Sequence, residues 1–453
     1  MNSRIFREYD VRGVADRDLD DDLVGMLGQA IAGFVGKGPI AVGRDCRLTS
    51  PRLRAALVGG IRRAGLDVVD VGVVPTPVLY YAPFHWELGG AVIITGSHNP
   101  APDNGFKILK RRESLHGDEI RALRDAIESN QLRVAVRAGE VEERDIVQPY
   151  LDNAVSRIEL GPRRFKVVLD AGNGAGGPTA LALYQRLGFD VVPLYCEMDG
   201  RFPNHHPDPT VDANLADLKR TVAETGAELG IALDGDADRI GAVDGKGRVL
   251  WGDQLMILYA RAILTEQPGA LVIAEVKCSQ SLFDEVARAG GQPMMWKVGH
   301  SLIKARMKET GAALGGEMSG HVFFAHRYLG FDDGIYAGAR LLEILSRSSQ
   351  TMTELYDTLP VMVNTPEIRI ECPDDVKFEV VRIATDRLRA RSDVNDVVDI
   401  DGARAMFGDG WGLVRASNTQ PALVMRCEAV TAERLAHIRG AIEGEIQAAR
   451  ASL

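Results

Sequence analysis

Cysteine is scarce in this chain: 453 residues carry five, Cys46, Cys196, Cys278, Cys372 and Cys427. Their number is odd, they lie far apart and none forms a CxxC pair, which argues against a disulfide framework and reads as reduced, mostly packing cysteines. Long apolar runs are also missing. No stretch approaches the ~20 residues of a membrane span, and the opening "MNSRIFREYD" lacks the apolar centre of a signal peptide. The cytosol is therefore the expected compartment. A basic excess is absent too, with 53 Lys and Arg against 63 Asp and Glu, a net charge of -10 and a pI near 5.5. A general nucleic-acid or membrane-surface binder would need a dense basic face, so those classes are excluded as partners. An anionic small substrate would need a local basic pocket instead.

What is present is globular. Hydrophobic residues make up 45% and charged residues 26%, a balance foreign to disordered, fibrous or repeat-array chains. The length exceeds what one core holds and implies roughly three to four domains. Short apolar runs end in Gly or Asp turns: "AVIITGS", "FKVVLDAGNG", "LGIALDGDAD" and "LVIAEVKCS". These predict buried strands with functional loops at their carboxyl ends. Between them, "GDEIRALRDAIES" aligns Ile120, Leu123 and Ile127 on one helical face, and "ANLADLKRTVAETG" aligns Leu215, Leu218 and Val222. Alternating strands and helices predict α/β domains. Polar or turn-forming segments put the cuts at about 145, 248 and 361, giving domains 1–145, 146–248, 249–361 and 362–453. In the last, "EIRIECPDD", "VVDIDGARAMF" and "GWGLVRASN" read as strands, and "DDVKFEVVRIATDRLRA" and "RLAHIRGAIEGEIQAA" as helices, a small α+β domain.

Four segments could carry chemistry. In "LGIALDGDADRIGAVDG", Asp234, Asp236 and Asp238 occupy every second position. Three close carboxylates repel one another, so an ionised cluster needs a cation, and a hard ion such as Mg²⁺ is the natural occupant. An EF-hand loop would want Gly sixth and Glu twelfth, where this chain has Arg239 and Gly245. A solvated acidic turn is the bland alternative, and it leaves unexplained why the cluster follows a buried apolar strand.

In "IITGSHNP", Ser97 sits just past an apolar strand, between Gly96 and His98, in what reads as a tight turn exposing the hydroxyl. The flanks are not G-x-S-x-G. His98 is poorly placed as a base, because consecutive side chains diverge. An ordinary turn serine and an activated or phosphorylated one both fit. In "GGEMSGH", Glu317, Ser319 and His321 lie on a glycine-framed loop, which suits the vicinal hydroxyls of a sugar as well as it suits a polar surface turn. "RASNTQP" sets Arg415, Ser417, Asn418 and Thr419 after a strand, either a phosphate cradle or a capped turn.

Taken together and in this order, the four segments resemble the α-D-phosphohexomutase superfamily over essentially the whole chain. "TGSHNP" is similar to its phosphoserine loop, "DGDADR" to its metal loop, "GEMSGH" to its sugar loop and "RASNTQP" to its phosphate loop. "FREYDVRG", "GRDCRLTSP", "NGFK" and "DAGNG" add further matches, with Thr49 standing where many relatives have serine. Met318 of "GEMSGH", "GRFPNHHPDPT" and "WKVGHSLIK" resemble the phosphomannomutase/phosphoglucomutase group, whereas phosphoglucosamine mutases usually show glutamine at the methionine.

The resemblance implies four domains around a central cleft, three related α/β units and a smaller phosphate-binding fourth. It implies that Ser97 carries a phosphoryl group, gives it to a hexose 1- or 6-phosphate, and regains one from a hexose 1,6-bisphosphate. Asp234, Asp236 and Asp238, with the phosphate on Ser97, would hold Mg²⁺, and Arg239 would add positive charge. Lys107 is nominated as base, with Arg12 and His321 as nearby candidates. A lysine base would need a lowered pKa; mere pairing of Lys107 with phosphate fits as well. Glu317 and Ser319 would hold the sugar's O3 and O4, leaving C2, the one difference between glucose and mannose, unread. Tyr9, Lys277 and His300 match ligand contacts, His98 a loop or phosphate contact, and Arg415, Ser417, Asn418 and Thr419 the grip on the other phosphate. The expected partners are hexose phosphates, for a monomer or weak homo-oligomer. Rival readings are a phosphoglucosamine mutase, a Mg²⁺-dependent sugar phosphatase and a non-catalytic sugar-phosphate sensor.

Overall fold

The four apolar runs form strands at Gly90–Ile94, Lys166–Asp170, Leu229–Leu233 and Leu271–Glu275. Val, Ile and Leu on both faces of a strand must be covered on both sides, which is what helices packed on a sheet supply. The computed structural model describes residues 2–418 and 420–453. It separates into two units, Met1–Leu255 with Ser319–Asp357, and Met256–Met318 with Thr358–Leu453.

The first unit holds two sheets. In one, Ile40–Arg44 runs parallel to both Val68–Val73 and Gly90–Ile94, while Asp103–Lys110 pairs antiparallel with Gly90–Ile94 and with Val11–Val14. The register sets Lys107 opposite Ile93 and Arg12 opposite Gly105. Lys107 thus stands on the strand beside the one that ends in the serine turn, and Arg12 on the next strand out. Helices Asp21–Val35, Ser50–Arg63 and Asp118–Glu128 bury Leu27, Ile31, Leu57, Ile61, Ile120 and Leu123 against this sheet, each contributing about 1.5–3 kcal/mol. Ile120, Leu123 and Ile127 share one buried face, as the spacing predicts.

In the other sheet, Lys166–Asp170 is parallel to Leu229–Leu233 and to Asp190–Leu194. Leu229–Leu233 then turns back antiparallel into Ile240–Asp244, with Leu233 opposite Ile240. The acidic segment is therefore the turn of a hairpin. Leu215, Leu218 and Val222 are buried over this sheet, on a short 3₁₀ turn, Asp212–Leu215, and the helix Ala216–Thr225.

The second unit has Leu271–Glu275 parallel to Gln292–Trp296 and Leu314–Gly316. It also contains an antiparallel sheet built on Gly410–Ala416 and Ala422–Ala429, covered by helices Lys377–Arg389 and Ala432–Ala451. Arg404 ties the two parts of this unit together, donating to the carbonyls of Val276 (2.6 Å) and Cys278 (2.7 Å) with its guanidinium 3.7 Å from the centre of the Trp411 ring. The segment "VVDIDGARAMF" is two strands, Asp396–Val398 and Ala403–Met406, paired across a turn. Among the described residues the five cysteines are free, four of them buried, and no helix is long and apolar enough to cross a membrane.

Candidate functional site

In the first unit, Ser97 follows strand Gly90–Ile94 in a turn with φ of +50°, a left-handed conformation that is uncommon for residues other than glycine. The turn does not expose the hydroxyl: Ser97 is 2% exposed, and its Oγ donates to Asp234 Oδ2 at 2.7 Å. Nor do Ser97 and His98 diverge. His98 Nδ1 lies 3.0 Å from Ser97 Oγ, because the left-handed residue curls both side chains to one side. Burial, with Arg239 and Arg12 nearby, lowers the His98 pKa well below its usual value, so the imidazole is neutral. Gly235 allows the close approach: a Cβ there would lie 2.4 Å from the Ser97 carbonyl oxygen.

Asp234, Asp236 and Asp238 are all fully buried and can each offer an oxygen within 4.8 Å of the others. Small residues between them permit this convergence, with Ala237 itself at φ +60°. Asp234 accepts the Arg239 amide at 3.1 Å, and Asp236 accepts the Thr76 hydroxyl at 2.5 Å. Lys107 donates to Asp236 Oδ2 at 2.7 Å and to Asp238 Oδ2. Two atoms are orphaned: among the described residues, the Oδ1 atoms of Asp236 and Asp238 have no hydrogen-bond partner. Buried, unpaired carboxylate oxygens are costly. Together with the all-oxygen donor set, they fit a hard divalent cation.

Charge is distributed accordingly. Burial, reinforced by Asp236 and Asp238, pushes Asp234 well above the carboxylate range. Burial would raise Asp236 too, but Lys107 and Thr76 pull it below its usual value. For Lys107, burial opposes charge and the neighbouring carboxylates overcome it, so its pKa is raised. This is the reverse of the lowered pKa a lysine base requires. In this arrangement Lys107 is an ammonium.

Arg12 donates to Asn99 Oδ1 (2.9 Å) and pairs with Asp10 (2.7 Å), which ties the N-terminal segment, with half-buried Tyr9, to the serine turn. His321 is bridged to Arg239 through the backbone, and Arg239 Nε donates to His321 Nε2 at 3.0 Å. The ring hydrogen is therefore on Nδ1, which faces the Asp238 carbonyl (3.2 Å) and Asp332 Oδ2 (3.4 Å). Ser319, half-buried, precedes Gly320, whose carbonyl accepts the Ile240 amide at 3.0 Å.

The second unit holds the remaining candidates. Lys277, just past strand Leu271–Glu275, is buried. Its ammonium is 3.0 Å from Glu367 and 3.8 Å from Glu275. Burial opposes its charge, but these carboxylates raise its pKa, and Lys277 in turn holds Glu367 down at about 2. Glu275, fully buried, accepts the amides of Lys277 (2.5 Å) and Met318 (3.2 Å). Glu317 accepts the Gly299 amide at 2.7 Å, which fixes it beside His300 at the start of helix His300–Thr310. Arg415 pairs with Asp401 at 3.1 Å, and its buried Nη2 has no partner among the described residues. Ser417 Oγ accepts the Gln420 amide at 3.2 Å, and Lys377 donates to the carbonyls of Ser417 and Gln420 at 2.6 and 3.1 Å. Asn418 is half-buried next to them. Thr419 lies outside the described residues.

Sequence reasoning passes over Thr76, whose partner Asp236 is 160 residues away, and over Asp332 and Glu275. Only Glu275 had a local signal, an acid ending an apolar strand two residues before Lys277. Arg47 and Asp45 lie in the quoted "GRDCRLTSP", but nothing in that segment shows what they touch.

Known proteins carry the same plan. Four family models match in order: phosphoglucomutase/phosphomannomutase alpha/beta/alpha domain I at residues 3–133, domain II at 148–247, domain III at 251–362 and the C-terminal domain at 367–445. A phosphomannomutase/phosphoglucomutase of Pseudomonas aeruginosa is 46% identical over 456 aligned residues, covering 100% of this chain and 97% of that protein. A phosphoglucomutase of Neisseria gonorrhoeae is 43% identical, with 98% and 96% covered. The crystal structure of a phosphoglucomutase/phosphomannomutase family protein from Burkholderia thailandensis superposes with a TM-score of 0.92 at 42% identity, over 99% of this chain and 98% of that one. The chain belongs to the phosphoglucomutase/phosphomannomutase family, with three α/β domains and a C-terminal α+β domain.

Proposed function

We propose that this protein is a phosphomannomutase/phosphoglucomutase, an isomerase that reversibly interconverts hexose 1-phosphates and hexose 6-phosphates of mannose and glucose. The observation that carries the reading is the Ser97 hydroxyl held 2.7 Å from Asp234 inside a buried carboxylate triad. A phosphatase of this family plan would have no use for a serine there, and a sensor would have no use for a reactive one.

In the first half-reaction the bond from phosphorus to Ser97 Oγ breaks as one forms to a sugar hydroxyl, and the proton that this hydroxyl gives up is matched by the one Ser97 Oγ takes up as it leaves as a hydroxyl. The resulting hexose 1,6-bisphosphate turns over and returns its other phosphoryl group to Ser97. Phosphoryl transfer asks chiefly for positioning and for neutralisation of spread negative charge. Asp234, Asp236 and Asp238 would hold Mg²⁺, which when bound supplies positive charge to the phosphoryl oxygens. Lys107, Arg12 and Arg239 add cationic groups around Ser97, with His98 and Tyr9 as phosphate or ligand contacts. Arg239 also engages the lone pair of His321, so His321 can accept a proton at Nε2 only once that hydrogen bond is released.

Glu317 and Ser319 read O3 and O4, Lys277 and His300 contact the ligand, and Arg415, Ser417, Asn418 and Thr419 hold the phosphate not being transferred. The partnerless Nη2 of Arg415 suits that task. Cuts near 145, 248 and 361, a cytosolic compartment and a monomer or weak homo-oligomer complete the proposal. The test is a coupled mutase assay on mannose 1-phosphate and glucose 1-phosphate with Mg²⁺ and trace bisphosphate, together with peptide mass analysis. Turnover of both sugars and one phosphate on Ser97 are expected; turnover of neither would overturn the reading.

A further inference from the structure

Beneath the serine turn lies a charge that the mechanism above does not use. Arg47 is 0% exposed, in the loop after strand Ile40–Arg44. Its Nη1 donates to the carbonyls of Pro100 (2.7 Å) and Asp103 (3.0 Å), and its Nη2 to those of Ser97 and Asn99 (both 2.7 Å). Its Nε stands 3.2 Å from Asp45 Oδ2, and the Phe202 ring caps the guanidinium at 5.1 Å. Asp45 joins the same turn by accepting the Gly96 amide at 3.2 Å.

We propose that Arg47 is a positioning residue for phosphoryl transfer, holding Ser97 in its left-handed turn by gathering four carbonyls of residues 97–103 onto one guanidinium. The inference rests on the reading of Ser97 as phosphoryl carrier.

Four carbonyls converging on one spot repel one another, and the buried one, of Ser97, would lack a donor, so the turn is unfavourable without a cation that has several N–H groups. A guanidinium offers five in a plane, whereas lysine offers three in a tetrahedron. The dependence is mutual: a buried arginine needs its N–H groups satisfied, and the four carbonyls engage both Nη atoms, while Nε has the ion-pair contact to Asp45 but no hydrogen-bond partner among the described residues. Finally, Gly96 leaves the space the guanidinium fills, since a Cβ there would lie 2.5 Å from Arg47 Cζ and Nε. Arg47 touches no reacting atom. It acts through the backbone that aims Ser97 Oγ.

The test uses full-length Arg47→Ala and Arg47→Lys. Misplacing the nucleophile by about 1 Å should lower kcat about 10²-fold while KM for glucose 1-phosphate stays near that of the wild type. Millimolar guanidinium ion should restore part of the kcat of Arg47→Ala, and lysine should be a poor substitute. Hydrogen exchange should show loss of protection confined to residues 96–104. Wild-type kcat in Arg47→Ala, or unchanged protection of that segment, would overturn the proposal. If Arg47→Ala does not fold, Gly96→Ala, which drives a methyl into the guanidinium, is read by the same two measurements with the same deciding outcomes. Should the wild type itself lack mutase activity, the functional reading fails, and the hydrogen-exchange arm still decides whether Arg47 holds the turn.

Discussion

Ser97 and Asp234 stand 137 residues apart in the chain and share a hydrogen bond of 2.7 Å. The serine ends a strand of one sheet and the aspartate a strand of the next, so a phosphoryl acceptor and an acidic cluster that repel each other chemically once phosphate is attached are brought together by the packing of two domains. Ser97→Ala tests the serine alone. It should abolish the phosphate found by mass spectrometry and lower mutase turnover by about 10⁴-fold or more. Its stability should fall by only about 1–3 kcal/mol, the cost of leaving one buried acceptor without its hydrogen bond. Turnover retained in this variant would rule out the phosphoserine route.

The orphaned oxygens of Asp236 and Asp238 predict a thermal signature that needs no substrate. A ligand bound only by the folded state at 100 times its Kd stabilises it by about 2.7 kcal/mol. Mg²⁺ should therefore raise the melting temperature of the wild type by several degrees, about 2–4 °C per kcal/mol. EDTA should reverse the shift and Asp238→Asn should abolish it. A melting curve indifferent to Mg²⁺ would remove the metal from the proposal.

Glu317 is proposed to read hydroxyls that glucose and mannose share. Glu317→Gln keeps an acceptor for the Gly299 amide, so the loop should survive, while the charged contact to the sugar is lost at a cost of about 1.5–3 kcal/mol. The kcat/KM for both 1-phosphates should drop by about the same 10- to 100-fold factor. A changed ratio between the two sugars, measured in one competition assay, would show that Glu317 senses C2 after all.

The Lys277–Glu367 pair sets an acid limit on the second unit. Glu367 titrates at about 2 when folded against an ordinary 4.5. Between those values the unfolded chain binds the extra proton, so the pair's contribution is complete above 4.5 and is lost as pH falls toward 2. Urea midpoints followed from pH 5 downward should decline less steeply in Glu367→Gln than in the wild type; parallel curves would mean the pair contributes nothing.

Much of the fold was readable because strand runs and helix faces are local properties. The runs before Ser97 and Asp234, and the stripe Ile120, Leu123 and Ile127, needed no knowledge of distant residues. Strand Ala422–Ala429 escaped notice for the opposite reason: buried Arg426 and Glu428 interrupt its apolar pattern, and what makes them tolerable lies elsewhere, as in the Trp411 indole donating to Glu428 at 2.9 Å. The same holds at the site. The residue types of each loop could be read in order, but a turn that curls His98 back toward Ser97, the Asp332 carboxylate facing His321 and the inversion of the Lys107 pKa all depend on three-dimensional neighbours. Spacing cannot express a left-handed serine.

The hairpin that carries the triad has one further consequence, for how such a site can change over time. Leu233 and Ile240 are paired across it, so both ends of the turn are anchored in the same sheet. Adding or removing one residue would either slip one strand by a position, exchanging the side chains on its two buried faces, or displace the aspartates within the turn. Lineages descending from this protein can exchange side chains within the six-residue turn, but its length is closed to insertion and deletion, and new chemistry there has to come by replacement alone.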